Sequence, residues 1–346
     1  MNGSISFSHG GDIYSRKIIY DFSANINPLG MPEGVKKALI NGFNDFEHYP
    51  DTECAKLRRA IAERDGAEYE KIVCGNGAAD LIYRIVQVFR PQRALVCAPT
   101  FSEYERALIS SGCEVARYYT NTKDNFSLRD DIIEFIDSSD IVFLCNPNNP
   151  VGNLIQTALL KKIIRKCAEC GALLVIDECF IEFTGEKPLS PAELSGNVIL
   201  LRAFTKIYAM PGLRLGYIIC SQADTAKKIK YCGQCWSVSV PAQIAGVAAL
   251  EEQGFIEQTV ELIKKERGFL ADSLKKSGFE VFDSKANFIL FRCGLPLDRI
   301  LLRKGIAIRD CSDYHGLSAG YFRIAVRTRE ENIILVNAIN EAVLNG

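Results

Sequence analysis

The chain has few histidines and almost no net charge, and each of these two features argues against a class of function. Only three histidines occur among 346 residues, so a histidine-based metal site has few candidate ligands. The formal net charge of −1 gives no overall field that would attract nucleic acid or an anionic membrane. We therefore expect no nucleic-acid or membrane partner. The length allows one large domain and one smaller domain.

The distribution of apolar and charged residues also predicts no membrane-spanning or targeting segment. The longest apolar runs are only strand-sized, which predicts no transmembrane span. Residues 1–7 lack the basic start and apolar core of a signal peptide. The thirteen cysteines lie mostly in apolar strand or helix patterns, as reduced core thiols do in intracellular proteins. We expect a cytoplasmic protein.

Two Cys-x-x-Cys pairs, Cys167/Cys170 and Cys232/Cys235, would suggest zinc if they came together. The first pair falls at the end of a predicted helix, just before Gly171, where thiols on a helix face are the simpler interpretation. We predict no metal site.

Strand-sized apolar segments alternate with helical patterns through the first two thirds of the chain. The predicted strands are residues 72–74, 94–97, 114–118, 141–145, 173–176, 198–201 and 215–220. This alternation predicts an α/β fold with a mainly parallel, seven-stranded sheet between layers of helices. Residues 128–136 are predicted to form one of the intervening helices.

The C-terminal third changes pattern. Short strands are predicted near 280–282, 288–292, 307–309 and 321–326, with helices at 297–304 and 329–344. This predicts a smaller α+β domain. The expected divisions are an N-terminal arm at 1–40, a large domain at 41–240 and a small domain at 241–346.

Lys206 is the most informative residue, because it follows a buried strand and precedes a glycine-arginine turn. Arg214 lies eight residues further on. A lysine at a strand end with a nearby cation suits an aldehyde cofactor that forms a Schiff base and carries a phosphate. The alternative is a surface lysine in a connection between two strands.

Polar segments follow two neighbouring predicted strands. Asp177 comes directly after strand 173–176, and Asn149 lies in the loop after strand 141–145. Side chains at the carboxyl ends of parallel strands meet where ligands bind in open α/β sheets. Each segment alone is compatible with ordinary turn chemistry. Together with Lys206 they predict one ligand site.

Residues 75–79 join a strand to a helix N-terminus and contain Gly77 and Ala78. Small residues let backbone N–H groups approach a phosphate, and the helix dipole favours the anion. Glycine also simply makes turns. Arg214 and the hydroxyl of Thr205 can add donors to the same phosphate.

Two further side chains suit an aromatic cofactor ring. Asp177 would hold a proton on a pyridine nitrogen, although it is also compatible with a turn or helix cap. Tyr104 is placed to stack on the ring face, although a packed aromatic is the plainer interpretation.

In combination, segments 149–150, 177–178 and 205–206 with Arg214 resemble the fold type I family of aminotransferases, which use pyridoxal 5′-phosphate. The resemblance runs over nearly the whole chain. It implies that Lys206 holds the cofactor covalently. It also implies that Asp177 binds the pyridine nitrogen, Asn149 binds the phenolic oxygen and Tyr104 stacks on the ring. The phosphate would contact Gly77, Ala78, Thr205 and Arg214.

Tyr49 is similar to a tyrosine that reaches the neighbouring subunit's cofactor in this family. The resemblance therefore implies a homodimer with shared active sites. Two positions depart from the family pattern: Ala203 stands where many relatives have a hydroxyl residue, and Val151 stands where threonine is usual. Neither would touch the reacting atoms.

Within the family, the chain resembles most the branch that decarboxylates L-threonine O-3-phosphate, with histidinol-phosphate aminotransferases as the alternative. The segments that favour the first branch are 9–11, 21–30, 205–212, 236–238, 308–311 and 321–327. Phe180 favours it too, because most aminotransferases have a tyrosine there that donates to the phenolic oxygen.

The resemblance also implies how a phosphorylated amino acid would bind. Arg323 is similar to the family's carboxylate-binding arginine. Arg309, with His9 and Asn27, would anchor the substrate phosphate and so set which Cα bond faces the ring. The alternative for Arg309 is a surface cation at a strand end. Without the resemblance, His9 is better interpreted as a residue of a flexible tail and Asn27 as a turn residue before Pro28.

A different class of function is a non-catalytic regulator with an aminotransferase-like domain. Such a protein needs a DNA-binding segment, and no basic block or helix-turn-helix pattern precedes residue 30. Lys206, Asp177 and Asn149 also occur together, so we expect an enzyme.

Overall fold

A seven-stranded sheet and a four-stranded sheet organise the protein, whose structure, a computed structural model, describes residues 9–345. Residues 1–8 of the expected N-terminal arm lie outside the described residues, and with them the segment 1–7, for which no signal peptide is predicted. The strands are β1 (Tyr20–Asp21), β2 (Ile72–Gly75), β3 (Arg93–Ala98), β4 (Glu114–Tyr119), β5 (Ile141–Cys145), β6 (Leu173–Asp177), β7 (Val198–Ala203), β8 (Gly216–Cys220), β9 (Glu280–Val281), β10 (Phe288–Arg292), β11 (Ile306–Ala307), β12 (Arg309–Asp310) and β13 (Tyr321–Ala325).

Helices cover both sheets. They are α1 (Glu33–Asn41), α2 (Ala55–Asp65), α3 (Gly77–Phe89), α4 (Ser102–Ser110), α5 (Ile133–Ile136), α6 (Thr157–Cys170), α7 (Phe204–Ile207), α8 (Ala223–Cys232), α9 (Val240–Leu250), α10 (Phe255–Lys276), α11 (Leu297–Leu302) and α12 (Arg329–Leu344). Among residues 9–345, none of these helices is both long and apolar enough to cross a membrane.

The large sheet has the strand order β2-β8-β7-β6-β5-β3-β4. Strands β4, β3, β5, β6 and β7 pair in parallel, and β8 runs antiparallel between β7 and β2. Every residue of β5, β6 and β7 is buried, as expected for parallel strands with helices on both faces. The predicted α/β fold with a mainly parallel sheet is confirmed.

Helix α6 shows why these segments fold as they do. It buries five apolar side chains at helical spacing against the sheet: Leu159, Leu160, Ile163, Ile164 and Cys167. It ends at Gly171, which adopts the left-handed conformation (φ 77°) that glycine tolerates best. The helix predicted at 128–136 is shorter than expected. Arg129 remains extended, and a 3-10 turn at Asp130–Ile132 precedes α5.

The second sheet is antiparallel, in the order β12-β13-β10-β9. A separate parallel pair joins β1 to β11, so the N-terminal part of the chain is attached to the C-terminal part. Helix α10 contacts the 3-10 turn Ile181–Phe183 beside the large sheet and also β9 and β10. The chain therefore folds back on itself, and residues far apart in sequence meet beside the carboxyl ends of β5, β6 and β7.

Candidate active site

Three polar segments meet at the carboxyl ends of neighbouring parallel strands. Cys145 at the end of β5 is the register partner of Asp177 at the end of β6. The backbone N–H of Asn146 donates to the carbonyl of Asp177 at 2.8 Å, and that of Glu178 donates to Leu201 of β7 at 2.8 Å. The loops after β5, β6 and β7 therefore leave the sheet side by side, as the sequence predicted.

Lys206 lies in the single-turn helix α7 that follows β7. Its neighbours Phe204 and Ile207 are buried and anchor the turn, while Lys206 is half-buried. Burial, together with the positive charges of Arg323 and Arg214, lowers the pKa of Lys206 to about 8. A lysine with this pKa is largely neutral just above pH 8 and can act as a nucleophile there.

Asp177 is buried and holds two short hydrogen bonds. Its Oδ1 accepts from the backbone N–H of Cys179 at 2.8 Å, and its Oδ2 accepts from the hydroxyl of Tyr104 at 2.6 Å. Burial raises the pKa of Asp177, because desolvation disfavours the charged form. A cationic N–H group placed beside this carboxylate would offset that penalty, so the environment fits a protonated ring nitrogen.

Tyr104 does not have the predicted arrangement. Its ring is fully buried, stacks on Phe143 with centroids 5.1 Å apart, and meets the edge of Phe101 at 5.5 Å. Stacking of Tyr104 on a cofactor stays a prediction, which this buried packing does not favour. Tyr104 lies within α4 and points into the sheet, whereas Phe101 precedes the helix and is only partly buried. Phe101 is the aromatic ring left with accessible surface here.

Asn149 and Arg323 contact each other. Nη1 of Arg323 donates to Oδ1 of Asn149, and Nη2 donates to the carbonyl of Ser23 at 2.9 Å. Nε of Arg323 is buried without a hydrogen-bond partner in the described part of the chain, as is Oδ1 of Asn25. Among those residues no carboxylate pairs with Arg323, so this buried guanidinium is suited to an anionic ligand.

A cradle for a phosphate group lies at the N-terminus of α3. Gly77 has φ 82°, and a Cβ there would lie 2.5 Å from Nη2 of Arg214. A Cβ on Gly216 would lie 2.6 Å from the backbone nitrogen of Ala78. The first N–H groups of a helix have no acceptor within the helix and favour an anion. With Thr205 buried at the start of α7, the predicted phosphate residues fit the group.

Arg309 lies next to Arg323. The two residues are register partners in β12 and β13, so their side chains leave the same face of the sheet. Nη2 of Arg309 donates to both carboxylate oxygens of Asp313, at 2.9 and 2.7 Å. Arg309 is buried. A substrate anion would therefore meet an arginine that a carboxylate already orients.

The side chain of Asn27 is bonded to three protein partners. Its Nδ2 donates to the carbonyl of Ile207 at 2.7 Å and to Oγ1 of Thr259 at 2.8 Å, and its Oδ1 accepts from Leu29 N–H at 3.0 Å. These bonds occupy both amide hydrogens and one of the two lone pairs of the carbonyl oxygen, an arrangement that does not favour the predicted contact with a substrate phosphate. The backbone N–H of Asn27 also donates to the carbonyl of Lys206 at 3.2 Å. Asn27 thus holds the lysine turn in place.

His9 and Tyr49 are the remaining predicted residues. His9 places Nε2 2.8 Å from Oε1 of Glu103, and its ring centroid lies 6.0 Å from that of Phe101. Tyr49 is 80% exposed and packs on Trp236 with ring centroids 4.7 Å apart. His9 therefore lies beside Phe101, whereas Tyr49 faces outward.

Phe180 is buried and meets Phe288 edge-on, with centroids 5.1 Å apart. It offers no hydroxyl group. Sequence reasoning missed four individual site residues: Ser23, Asn25, Phe101 and Glu103. Ser23 belongs to the site through its backbone carbonyl, and Asn25 through a buried oxygen without a partner. Phe101 and Glu103 belong to it through contacts with His9, which is far away in sequence. The one sequence signal for Ser23 and Asn25 was their position in the segment 21–30.

Comparisons with known proteins agree with this geometry. Residues 17–339 match the family of class I and II aminotransferases. The threonine-phosphate decarboxylase of Salmonella typhimurium is 36% identical over 98% of this chain and 97% of its own length.

Two solved structures are similar over their whole length. The L-threonine-O-3-phosphate decarboxylase of Porphyromonas gingivalis has a TM-score of 0.86 and 28% identity, covering 95% of this chain and 100% of its own. The histidinol-phosphate aminotransferase of Clostridium acetobutylicum has a TM-score of 0.88 and 32% identity, with the same coverage.

Proposed function

Because this chain belongs to the class I and II aminotransferase family, we propose that it is a pyridoxal 5′-phosphate enzyme of cobalamin biosynthesis. It converts L-threonine O-3-phosphate to (R)-1-amino-2-propanol O-2-phosphate and carbon dioxide. The observation that carries the proposal is that Arg309 and Arg323 are register partners in neighbouring strands and so lie side by side on one sheet face. Two adjacent, buried arginines suit a substrate with both a carboxylate and a phosphate.

The residues present fit the cofactor. Lys206 would hold it covalently, Asp177 would pair with its ring nitrogen and Asn149 with its phenolic oxygen. The α3 cradle with Thr205 and Arg214 would take its phosphate. When bound, pyridoxal 5′-phosphate supplies an electron sink for the bonds at the substrate Cα. Phe101, in place of Tyr104, is the residue we propose to pack on its ring.

The chain's own residues decide which Cα bond breaks. Arg323 would bind the carboxylate and Arg309 the phosphate, so the substrate is held at two points and cannot rotate freely about Cα. Decarboxylation requires the Cα–carboxylate bond to stand perpendicular to the ring, whereas transamination requires the Cα–H bond there. Lys206, with its pKa of about 8, can hold a proton near neutral pH and deliver it to Cα after carbon dioxide leaves.

The proposal extends to a homodimer with shared sites in the cytoplasm, divided at 1–40, 41–240 and 241–346. Exposed Tyr49 lies at a groove of about 480 Å³ whose apolar lining includes Leu57, Val240 and Ile244, which supports burial against a second copy. The free thiols within the described residues support a reducing compartment.

A product assay tests the proposed reaction. One sample of purified protein with pyridoxal 5′-phosphate receives L-threonine O-3-phosphate alone, and carbon dioxide release is followed. A second receives histidinol phosphate and 2-oxoglutarate, and glutamate is followed. We expect carbon dioxide without any keto acid. If glutamate forms in the second sample and no carbon dioxide forms in the first, the protein is a histidinol-phosphate aminotransferase and the proposed decarboxylase function is wrong.

A further inference from the structure

The segment 9–11 lies directly on the residue that supports Arg323. A Cβ on Gly10 would collide with the carbonyl oxygen of Ser23. The backbone N–H of Gly11 donates to Oγ of Ser23 at 2.8 Å. The same carbonyl of Ser23 accepts from Nη2 of Arg323 at 2.9 Å. Only glycine at position 10 permits this close crossing, so the segment passes immediately beside the proposed carboxylate site.

The first residue of the segment 9–11, His9, is held by Glu103. His9 places Nε2 2.8 Å from Oε1 of Glu103. Glu103 is 7% exposed and lies in the first turn of α4. Its Oε2 accepts from the hydroxyl of Tyr83 at 3.3 Å, and Nη1 of Arg106 lies 3.4 Å from its Oε1. The carboxylate is therefore held in place by residues of α3 and α4, and His9 attaches to a rigid point.

The orientation of His9 leaves one nitrogen for a ligand. Because Nε2 faces Glu103, Nδ1 is the remaining ring nitrogen, and the side chain keeps 45% of its surface exposed. An imidazole that donates Nε2–H to a carboxylate donates from Nδ1 as well when it is protonated. Nδ1 of His9 is therefore the ring nitrogen available to a ligand that binds beside Phe101.

We propose that Glu103 is a positioning residue for substrate recognition. Its carboxylate holds His9, and with it the segment 9–11, across the arginine site, where His9 donates to the phosphate of the substrate. The identity of that phosphate group rests on the proposed function. The attachment of the segment to α4 does not.

Kinetics of the holoenzyme test the recognition step. In Glu103→Gln, the KM for L-threonine O-3-phosphate should rise about tenfold, the effect of losing one hydrogen bond to a charged group. Both kcat and the visible absorbance of the bound cofactor should stay within twofold. His9→Gln should show the same change, and the double variant should be no worse than either single one.

Glu105→Gln is the matched control. Glu105 is equally buried two residues along the same helix, but its carboxylate pairs with Arg117 and lies 3.5 Å from Nε2 of His315, with no contact to His9. Its substitution should leave the KM unchanged. An equal rise in KM for Glu105→Gln would mean that any loss of charge in α4 perturbs the site, and would overturn the role of Glu103.

Hydrogen exchange tests whether Glu103 holds the segment 9–11, independently of which reaction the enzyme catalyses. The Gly11 amide is bonded to Ser23, so peptides covering residues 9–16 should exchange faster in Glu103→Gln and stay unchanged in Glu105→Gln. Unchanged exchange in Glu103→Gln would overturn the proposal whatever the substrate is. Faster exchange with an unaltered KM would overturn the recognition role. If the unmodified enzyme does not decarboxylate threonine phosphate, exchange alone decides whether Glu103 holds the segment.

Discussion

The hydroxyl of Tyr104 donates a 2.6 Å hydrogen bond to Oδ2 of Asp177. This bond stabilises a carboxylate whose pKa burial raises, so it favours the charged form that a protonated ring nitrogen needs. The same tyrosine packs on Phe143 in the core. The aromatic ring expected to contact the cofactor instead supports the acid beneath it.

Tyr104→Phe isolates that hydrogen bond, because the ring still packs on Phe143. We expect a loss of about 1 to 2 kcal/mol in the free energy of unfolding and a several-fold weaker affinity for pyridoxal 5′-phosphate. Urea unfolding and cofactor titration measure the two effects. Tyr118→Phe removes a similar bond to Asp131 away from the site, so it should leave cofactor affinity unchanged. Unaltered affinity in Tyr104→Phe would contradict the supporting role.

Lys206 should set the pH dependence of cofactor incorporation. An amine must lose its proton before it attacks an aldehyde, so the rate should rise with pH through about 8, the lowered pKa of Lys206, and then level off. An ordinary lysine, with a pKa of about 10.4, would keep the rate rising. Stopped-flow absorbance of apoenzyme mixed with cofactor measures the profile.

Two variants make this prediction specific. Arg323→Gln removes a positive charge near Lys206, so the midpoint of the profile should move to higher pH. Arg292→Gln removes an exposed arginine that pairs with Glu280 and should not move the midpoint. Lys206→Ala should abolish turnover. Normal decarboxylation in Lys206→Ala would refute the mechanism.

Gly77→Ala should weaken cofactor binding about tenfold or more. The new methyl group would lie against Arg214, and φ 82° is strained for alanine. Equilibrium titration with pyridoxal 5′-phosphate measures the loss. Gly212→Ala is the control, since that glycine lies in the same turn as Arg214 with no atom within 4 Å of a new Cβ. Equal effects of the two substitutions would remove the cradle from the cofactor site.

Arg309→Ala should raise the KM for L-threonine O-3-phosphate at least tenfold and leave cofactor affinity unchanged, because Arg309 is assigned to the substrate phosphate. Steady-state kinetics and cofactor titration give the two values. Arg292→Ala, in β10 of the same sheet, provides the comparison. A KM that does not change in Arg309→Ala would remove this arginine from the site.

Asn27→Ala should act on stability more than on substrate binding. Its side chain makes two buried hydrogen bonds and one part-buried hydrogen bond, so we expect a loss of about 2 to 3 kcal/mol in the free energy of unfolding. Thermal and urea unfolding measure it. A KM effect as large as that of Arg309→Ala in a fully folded variant would restore Asn27 to the substrate site.

The sequence predicted the large sheet and the segments at its edge, because strand length, apolar runs and the polar residues after them are local signals. Asp177, Asn149 and Lys206 are found where that reasoning placed them. The roles of other residues depend on distant partners. Asn27 bonds to residues 180 and 232 positions away. Tyr104 lies within α4 and packs on Phe143, whereas Phe101 precedes the helix and keeps accessible surface.

The parallel pairing of β1 with β11 also fixes when the site can form during synthesis. Phe22 N–H donates to Ala307, and the carbonyl of Phe22 accepts from Ala325 N–H, both at 2.8 Å. Ser23, which supports Arg323, follows immediately. A ribosome that has made the first 300 residues has therefore produced the lysine turn and the cradle but none of these partners. The substrate half of the site is completed only when the last strands emerge, after the cofactor half has had its full sequence for some time.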